Sequence, residues 1–275
     1  DRALLKKIFL QQSNIETVFN LAASISVDES INKPLCYYYN NVAKLPNLLQ
    51  SCKEFGIENF IFSSSAAVYP KLSVGKAIKE TQTQMRHSHT PYGRSKLMGE
   101  WMLEDAVKRT NMRYVSLRYF NVAGTGEGGM LGQRRGSHLI KALCESARIE
   151  SPFIVFGKNY ATLDGTCVRD FIHVDDVASA NVAALEYLKR ERPSVTLNCG
   201  SGNEYSVFCL ITFLQKIINK KIKWKSGKRR EGDMPYVVSD NRAIRNTLNW
   251  IPKRSIEEIL RSAWEFEIRN RPSCS

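Results

Sequence analysis

The 275-residue chain is poor in the features that mark several protein classes. It has no apolar run near the ~18 residues needed to span a bilayer, so no membrane is expected as a partner. The opening residues Asp1-Arg2-Ala3-Leu4-Leu5-Lys6-Lys7 lack the apolar core and small-residue cleavage site of a signal peptide. Its seven cysteines (Cys36, Cys52, Cys144, Cys167, Cys199, Cys209, Cys274) are odd in number, scattered, and form no C-x-x-C pair. That argues against a disulfide framework or a zinc site. His87-x-His89 has no suitably spaced acid or cysteine to complete a metal site, so no metal is expected. Internal repeats are absent, and 16 Gly and 9 Pro are too few for a fibrous chain. A hydrophobic fraction of 43% is too high for a disordered one. What remains is a soluble, cytoplasmic protein that builds its own hydrophobic core.

Acidic residues are also in short supply: 27 Asp and Glu face 40 Lys and Arg, for a net charge of +13. Such a balance suits nucleic acid or a small anionic ligand. The cations are spread out except for Lys220, Lys221, Lys223, Lys225, Lys228, Arg229 and Arg230. No RNA-binding or helix-turn-helix signature accompanies that run, so nucleic acid is not expected as a partner. The chain opens on Asp1 and runs straight into a helical pattern, as a piece of a longer protein would.

The pattern then alternates. Residues 4–12 read as a short helix and 16–23 as a buried strand, too short and too β-branched for a helix. A helix-like stretch at 34–56 ends at Gly56, with Pro46 inside it where proline kinks a helix. Residues 59–65 form a second buried strand. A long helix at 91–108 follows, with Thr90 as N-cap and Pro91 at its first position. Residues 113–121 form a third strand. Strand, helix, strand, helix, strand implies parallel β/α units in a doubly wound sheet. Beyond Gly124 come helices near 136–148, 174–188, 206–219, 240–248 and 255–269, and strands near 153–157, 195–199 and 222–225. About two domains are expected from the length, with soft boundaries because the second part interleaves with the first.

Tyr92-Gly93-Arg94-Ser95-Lys96 carries the strongest chemical signal. Tyr and Lys at i and i+4 share one helix face. A free phenol titrates near ~10 and is a poor base at neutral pH. An ammonium nearby stabilises its phenolate and makes proton abstraction from an alcohol feasible. Ser63-Ser64-Ser65 ends a buried strand, where open α/β sheets place their ligands. A strand-end Ser followed by Tyr-x-x-x-Lys at the next helix start points to redox chemistry at a carbinol carbon. Gly124-Thr125-Gly126-Glu127-Gly128-Gly129 satisfies G-x-G-x-x-G but follows the third strand and leads into Gln133-Arg134-Arg135, so it reads as a flexible loop rather than a dinucleotide fingerprint.

Ser63-Ser64-Ser65-Ala66-Ala67-Val68-Tyr69, Pro91-Tyr92-Gly93-Arg94-Ser95-Lys96, Leu117-Arg118-Tyr119-Phe120-Asn121, residues 164–174 and Arg229-Arg230-Glu231-Gly232-Asp233 together resemble the extended short-chain dehydrogenase/reductase family, in its nucleotide-sugar epimerase branch. The resemblance runs from Thr17 to Pro272 with the motifs in order. Ala66-Ala67 stand where the related dehydratases place an acidic pair, so elimination is disfavoured.

The resemblance implies a Rossmann-type fold with a smaller α/β substrate-binding domain. Residues 1–122 would be the C-terminal part of the NAD-binding domain, its first βαβα unit absent before Asp1. Residues 123–275 would be mainly substrate-binding. The implied activity is NAD-dependent interconversion of UDP-glucose and UDP-galactose by oxidation and re-reduction at sugar C4. Its alternatives are epimerisation of a UDP-N-acetylhexosamine or UDP-pentose, and a catalytically silent nucleotide-sugar-binding fragment. Tyr92 would be the base, Lys96 would lower its pKa and bind the nicotinamide ribose, and Ser65 would hydrogen-bond the 4-oxygen. Leu21, Ala22, Ala23, Ser24, Ile25, Asn40 and Phe120 would lie along the NAD. Asn121, His138, Leu139, Ile154, Val155, Phe156, Arg169, Arg230 and Asp233 would hold the UDP-sugar, the arginines suiting phosphate oxygens. Ile25 stands in place of a usual Lys and His138 in place of a usual Asn. Leu197 replaces a bulky Tyr near the sugar, which would admit an N-acetyl group. Homodimers are common in the family.

Overall fold

The computed structural model describes every residue except 13, 71–73, 83–89, 134–137, 231–232 and 270–275. The chain begins with α1 (Arg2–Gln11) and β1 (Thr17–Asn20), then α2 (Val27–Asn32), α3 (Pro34–Tyr38) and α4 (Leu45–Glu54). Next come β2 (Asn59–Ser65), α5 (Pro91–Val107), β3 (Arg113–Tyr119), β4 (Asn121–Ala123), α6 (Leu139–Arg148), β5 (Phe153–Phe156), β6 (Val168–Arg169), β7 (Phe171–His173), α7 (Val174–Lys189) and β8 (Val195–Cys199). The last elements are β9 (Tyr205–Ser206), α8 (Val207–Ile218), β10 (Trp224–Gly227), β11 (Tyr236–Val237), α9 (Arg242–Leu248) and α10 (Ile256–Arg269).

Four strands make the main sheet, parallel throughout, in the order β1-β2-β3-β8. Alternate residues face opposite sides of a strand. Phe60, Phe62 and Tyr114 therefore pack with α1, α4 and α5 residues, while Ile61, Val115 and Leu117 pack with α7 and α9 residues. Both faces are covered, which explains the continuous apolar runs of β2 and β3 and makes the sheet doubly wound, as expected. A third cluster joins α6, α8 and α10 to Phe153 and Val155 of β5. Since β8 and α7 pack into the first sheet, the two halves of the chain interleave.

Several expectations change. The helix of 34–56 is three pieces, with a π-helical turn at Tyr39–Ala43 between α3 and α4. Pro46 has no N–H to give back to Val42, so the backbone widens there and restarts with Pro46 in the first turn of α4, where no such donor is needed. The first strand covers Thr17–Asn20, half of the expected 16–23. Residues 124–129 form a tethered turn rather than a free loop: Thr125 N–H donates to Ser262 Oγ at 3.2 Å and Gly126 N–H to the Leu131 carbonyl at 3.0 Å. Gly124 has φ +84°, and a Cβ there would lie 2.6 Å from the His173 ring. The helix expected from 136 begins at Leu139, with 134–137 outside the described residues. Leu197 lies in the core between the sheet and α7, away from the strand ends. No helix among the described residues is long and apolar enough to cross a membrane.

Candidate functional site

β2 delivers Ser63, Ser64 and Ser65 to the C-terminal edge of the sheet. Ser65 is extended (φ −149°, ψ 149°), and its Oγ accepts the Ala67 N–H at 3.2 Å, capping the short turn Ala66–Val68. The hydroxyl proton is thereby left for the Tyr92 phenol, to which Ser65 hydrogen-bonds. Thr90 Oγ1 accepts the Gly93 N–H at 3.2 Å and starts α5 as expected. One turn past Tyr92, Lys96 Nζ donates to the Ser63 carbonyl at 2.6 Å and stands 6.0 Å from the Tyr92 ring centre. Tyr37 of α3 meets that ring edge-on at 6.4 Å. The three residues expected to act together thus occupy one corner.

Burial dominates the electrostatics of this corner. It raises the Tyr92 phenol above its ordinary value, against the hydrogen bond from Ser65, which favours the phenolate. It also pulls the Lys96 ammonium down to about 8, against the charge of Glu100. A Tyr-Lys spacing alone suggests a lowered phenol; here desolvation raises it, and the group that opposes desolvation is Ser65.

Leu21 and Ile25 are 61% and 54% exposed on the segment that leaves β1. Asn41 pins that segment: its Oδ1 accepts the Ser24 N–H at 2.8 Å, and its Nδ2 donates to the Ser24 carbonyl at 3.0 Å and Ser95 Oγ at 3.1 Å. Asn40 donates to Ser24 Oγ at 3.2 Å. The segment 21–25 and Asn40 are therefore fastened to the start of α5. Asn41, Ser95 and Tyr37 escape sequence reading, because their roles are contacts across 50 residues or between separate helices. Phe120 is buried with Ala66, Leu97 and Val237, forming a wall behind the corner.

Arg169 and Arg230 converge on Asp233: Arg230 Nε donates to Oδ2 at 3.0 Å, and Arg169 Nη2 stands 3.6 Å from Oδ1. Two guanidinium groups on one carboxylate leave an excess positive charge, suited to a phosphate. The Arg230 guanidinium lies 5.0 Å from the Phe156 ring centre. Ile154 and Phe156 face outward on β5, whereas Val155 is buried in the α6–α8–α10 core and can offer a ligand only its backbone. Asn121, His138 and Leu139 line one cavity of about 40 Å³. Burial lowers His138 from its usual range. Asp170, next to Arg169 in sequence, is committed elsewhere: it accepts from Ser201 N–H and Oγ, Gly202 N–H, and Ser239 N–H and Oγ.

The arginine cluster and the tyrosine corner are joined through apolar neighbours. Ala66, Leu97, Phe120 and Val237 pack together, with Met234 against them.

A second constellation, Ser262–His173–Asp175, looks like a nucleophile and its base, but its hydrogen bonds run the other way. His173 Nδ1 accepts the Asp175 N–H at 3.1 Å, so the proton sits on Nε2, 3.3 Å from Ser262 Oγ. A ring that donates to a hydroxyl cannot take its proton. Among the described residues no three His, Cys, Asp or Glu side chains group to hold a metal, and His87, His89, Arg134 and Arg135 lie outside those residues.

Residues 1–200 match the NAD dependent epimerase/dehydratase family. A UDP-glucose 4-epimerase of Azospirillum brasilense is 40% identical over 262 residues, 94% of this chain and 74% of its own length. The UDP-glucose 4-epimerase from Bifidobacterium longum, solved in complex with NAD+ and UDP, has a TM-score of 0.89 and 33% identity, over 98% of this chain and 81% of that one. The UDP-Glc/GlcNAc 4-epimerase of Campylobacter jejuni has a TM-score of 0.83 and 40% identity, over 98% of this chain and 82% of that one.

Proposed function

The chain belongs to the NAD dependent epimerase/dehydratase family, and we propose that it interconverts UDP-glucose and UDP-galactose by oxidation and re-reduction at the sugar C4. The observation that carries this reading is the Ser65–Tyr92–Lys96 corner at the sheet's edge. Tyr92 takes the proton of the sugar 4-hydroxyl and returns it. Ser65 donates a hydrogen bond to the 4-oxygen, and the Lys96 charge favours the phenolate. Arg169 and Arg230 bind the diphosphate, and Phe156 and Ile154 offer the outward face of β5 to the nucleoside. Asn121, His138 and Leu139 border the sugar.

NAD, when bound, supplies the reversible hydride acceptor for the C4 carbon. The residues of the corner fit its nicotinamide-ribose half: Lys96 and Tyr92 present a donor and a hydroxyl for ribose oxygens, while Leu21 and Ile25 offer exposed apolar surface for a flat ring. Among the described residues, the G-x-G-x-x-G stretch forms a single 3-10 turn, Glu127–Gly129, and opens no α-helix for a pyrophosphate. We assign cofactor binding mainly to residues 1–122 and sugar-nucleotide binding mainly to 123–275, in a reducing, cytoplasmic setting. The buried thiols of Cys52 and Cys144, pushed up to about 12 by desolvation, are inert enough for that setting.

The likeness to an enzyme named for both UDP-Glc and GlcNAc favours a second reading, action on the N-acetylhexosamine pair as well. Side-by-side turnover of the two substrates separates the readings. For the chemistry itself, Tyr92→Phe should lower kcat by roughly 10²–10⁴ while UDP binding by calorimetry stays unchanged. Retention of kcat within twofold would show that Tyr92 is not the base.

A further inference from the structure

Two buried charges beside the tyrosine corner have no part in the proton transfer described above. Glu100 is 1% and Arg118 5% exposed. Arg118 holds Glu100 at both oxygens, Nε to Oε1 at 2.9 Å and Nη2 to Oε2 at 2.7 Å. The Ser64 hydroxyl donates to Oε1 as well. Arg118 Nη1 donates to the Tyr69 hydroxyl at 2.9 Å and the Glu80 carbonyl at 3.0 Å, and Tyr69 passes its own proton to Asn198 Oδ1. Buried pairs of this kind can often be replaced by apolar residues without loss of stability, so their presence calls for another reason.

The geometry supplies one. Lys96 and Glu100 lie one turn apart on α5, and they hold consecutive residues of β2. Lys96 takes the Ser63 carbonyl, Glu100 takes the Ser64 hydroxyl, and Ser65 comes next. We propose that Glu100 is a positioning residue: fixed by Arg118 and Ser64, it keeps Lys96 an ammonium and holds α5 in register with β2. The ionisable groups tied to this stretch of α5 are Tyr92, whose ring centre is 6.0 Å from Lys96 Nζ, Glu100 with its partner Arg118 of β3, Tyr69 bonded to Arg118, Tyr119 bonded to Ser63, and Tyr37 against the Tyr92 ring. Glu100 is the carboxylate of that set and the charge that opposes the effect of burial on Lys96. Burial already pulls Lys96 down to about 8 with Glu100 in place, so removing that opposing charge lowers it further.

The catalytic weight of this inference rests on the role given to Lys96 above; its test does not. The titration of Lys96 is read by NMR of its ε-carbon in lysine-labelled protein, assigned with Lys96→Met. Glu100→Gln should move the midpoint down by about one pH unit or more, a tenfold loss of proton affinity. Glu100→Asp, which keeps the charge, should restore most of that affinity. If burial of the Arg118 charge without its carboxylate prevents Glu100→Gln from folding, the double variant Glu100→Gln/Arg118→Met removes both charges and should also titrate below the parent. A midpoint unchanged in Glu100→Gln, or in the double variant where Glu100→Gln does not fold, overturns the proposal. In turnover, the alkaline limb of kcat should move down with Glu100→Gln while KM for the UDP-sugar holds. Absence of turnover in the parent would remove the functional reading and leave the titration result standing.

Discussion

Gly99 offers a stringent test of how α5 is seated. It lies in the interior of a 17-residue helix, where glycine ordinarily costs about 1 kcal/mol relative to alanine. On propensity alone, Gly99→Ala should stabilise. The packing says otherwise. A Cβ at position 99 would sit 2.5 Å from Phe62 Cζ and 3.1 and 3.3 Å from its Cε atoms, where ordinary carbon contacts are ~3.5–4.0 Å. The Phe62 ring cannot step aside, because it is buried among Phe60, Leu103 and Tyr114. Overpacking of this kind costs ~1–3 kcal/mol and offsets or exceeds the propensity gain, leaving a net loss of up to about 2 kcal/mol. For a chain of this size that is a fall in Tm of up to roughly 8 °C, with an unchanged denaturant m-value. Phe62→Leu removes the obstructing ring edge, so the double variant should be more stable than the two single losses predict, by ~0.5 kcal/mol or more. Lys96 lies one turn before Gly99, and its 2.6 Å bond to Ser63 should lengthen as the helix is pushed off the strand, lowering kcat with stability. A rise in Tm for Gly99→Ala, or strict additivity with Phe62→Leu, would refute the close approach.

Two further outcomes follow from buried polar groups. Asp170→Ala strands five donors from Ser201, Gly202 and Ser239, and should cost about 3 kcal/mol or more, a Tm loss of roughly 6–12 °C by calorimetry; a loss below 1 kcal/mol would mean the carboxylate does not hold these loops. His173 is lowered from its usual value, chiefly by burial and against the pull of Asp175. The unfolded chain therefore takes up the proton first, and stability should fall as pH drops below about 6.5. His173→Asn keeps an acceptor at the start of α7 and removes the titration, so urea unfolding between pH 7 and 5 should show a shallower loss than the parent; equal slopes would exclude His173 as the cause.

What could be read directly from the sequence was local. The i, i+4 spacing of Tyr92 and Lys96, the Thr90-Pro91 start of α5, and the apolar runs of β2 and β3 depend on a few neighbouring residues, and the structure keeps all of them. Short strands such as β6, β9 and β11, two residues each, are set by distant partners and carry no period to detect. The partner of Arg169 is Asp233, 64 positions away, rather than the adjacent Asp170. Glu100 and Arg118 did leave a trace: an arginine between Leu117 and Tyr119 in a strand buried on both faces must find a buried partner. The spacing of residues cannot say which acid that partner is.

The polar groups of the site are set by the apolar residues beside them. Ala66 follows Ser65, Leu97 follows Lys96, Phe120 precedes Asn121, and Met234 follows Asp233; these four belong to one cluster or pack against it, together with Val68, Tyr69, Ile78 and Val237. Adjacent residues in extended chain point to opposite sides, so burying one presents the other outward. Ser65, Asn121 and Asp233 arise from three separate stretches of chain whose neighbours Ala66, Phe120 and Met234 belong to one small core or pack against it. Hydrophobic packing thus brings these stretches together, and the attraction of Arg169 and Arg230 to Asp233 adds to it. On that account, a polar substitution at Leu97 should disperse the arrangement of Ser65, Asn121 and Asp233, while a surface change near Arg230 should leave it intact.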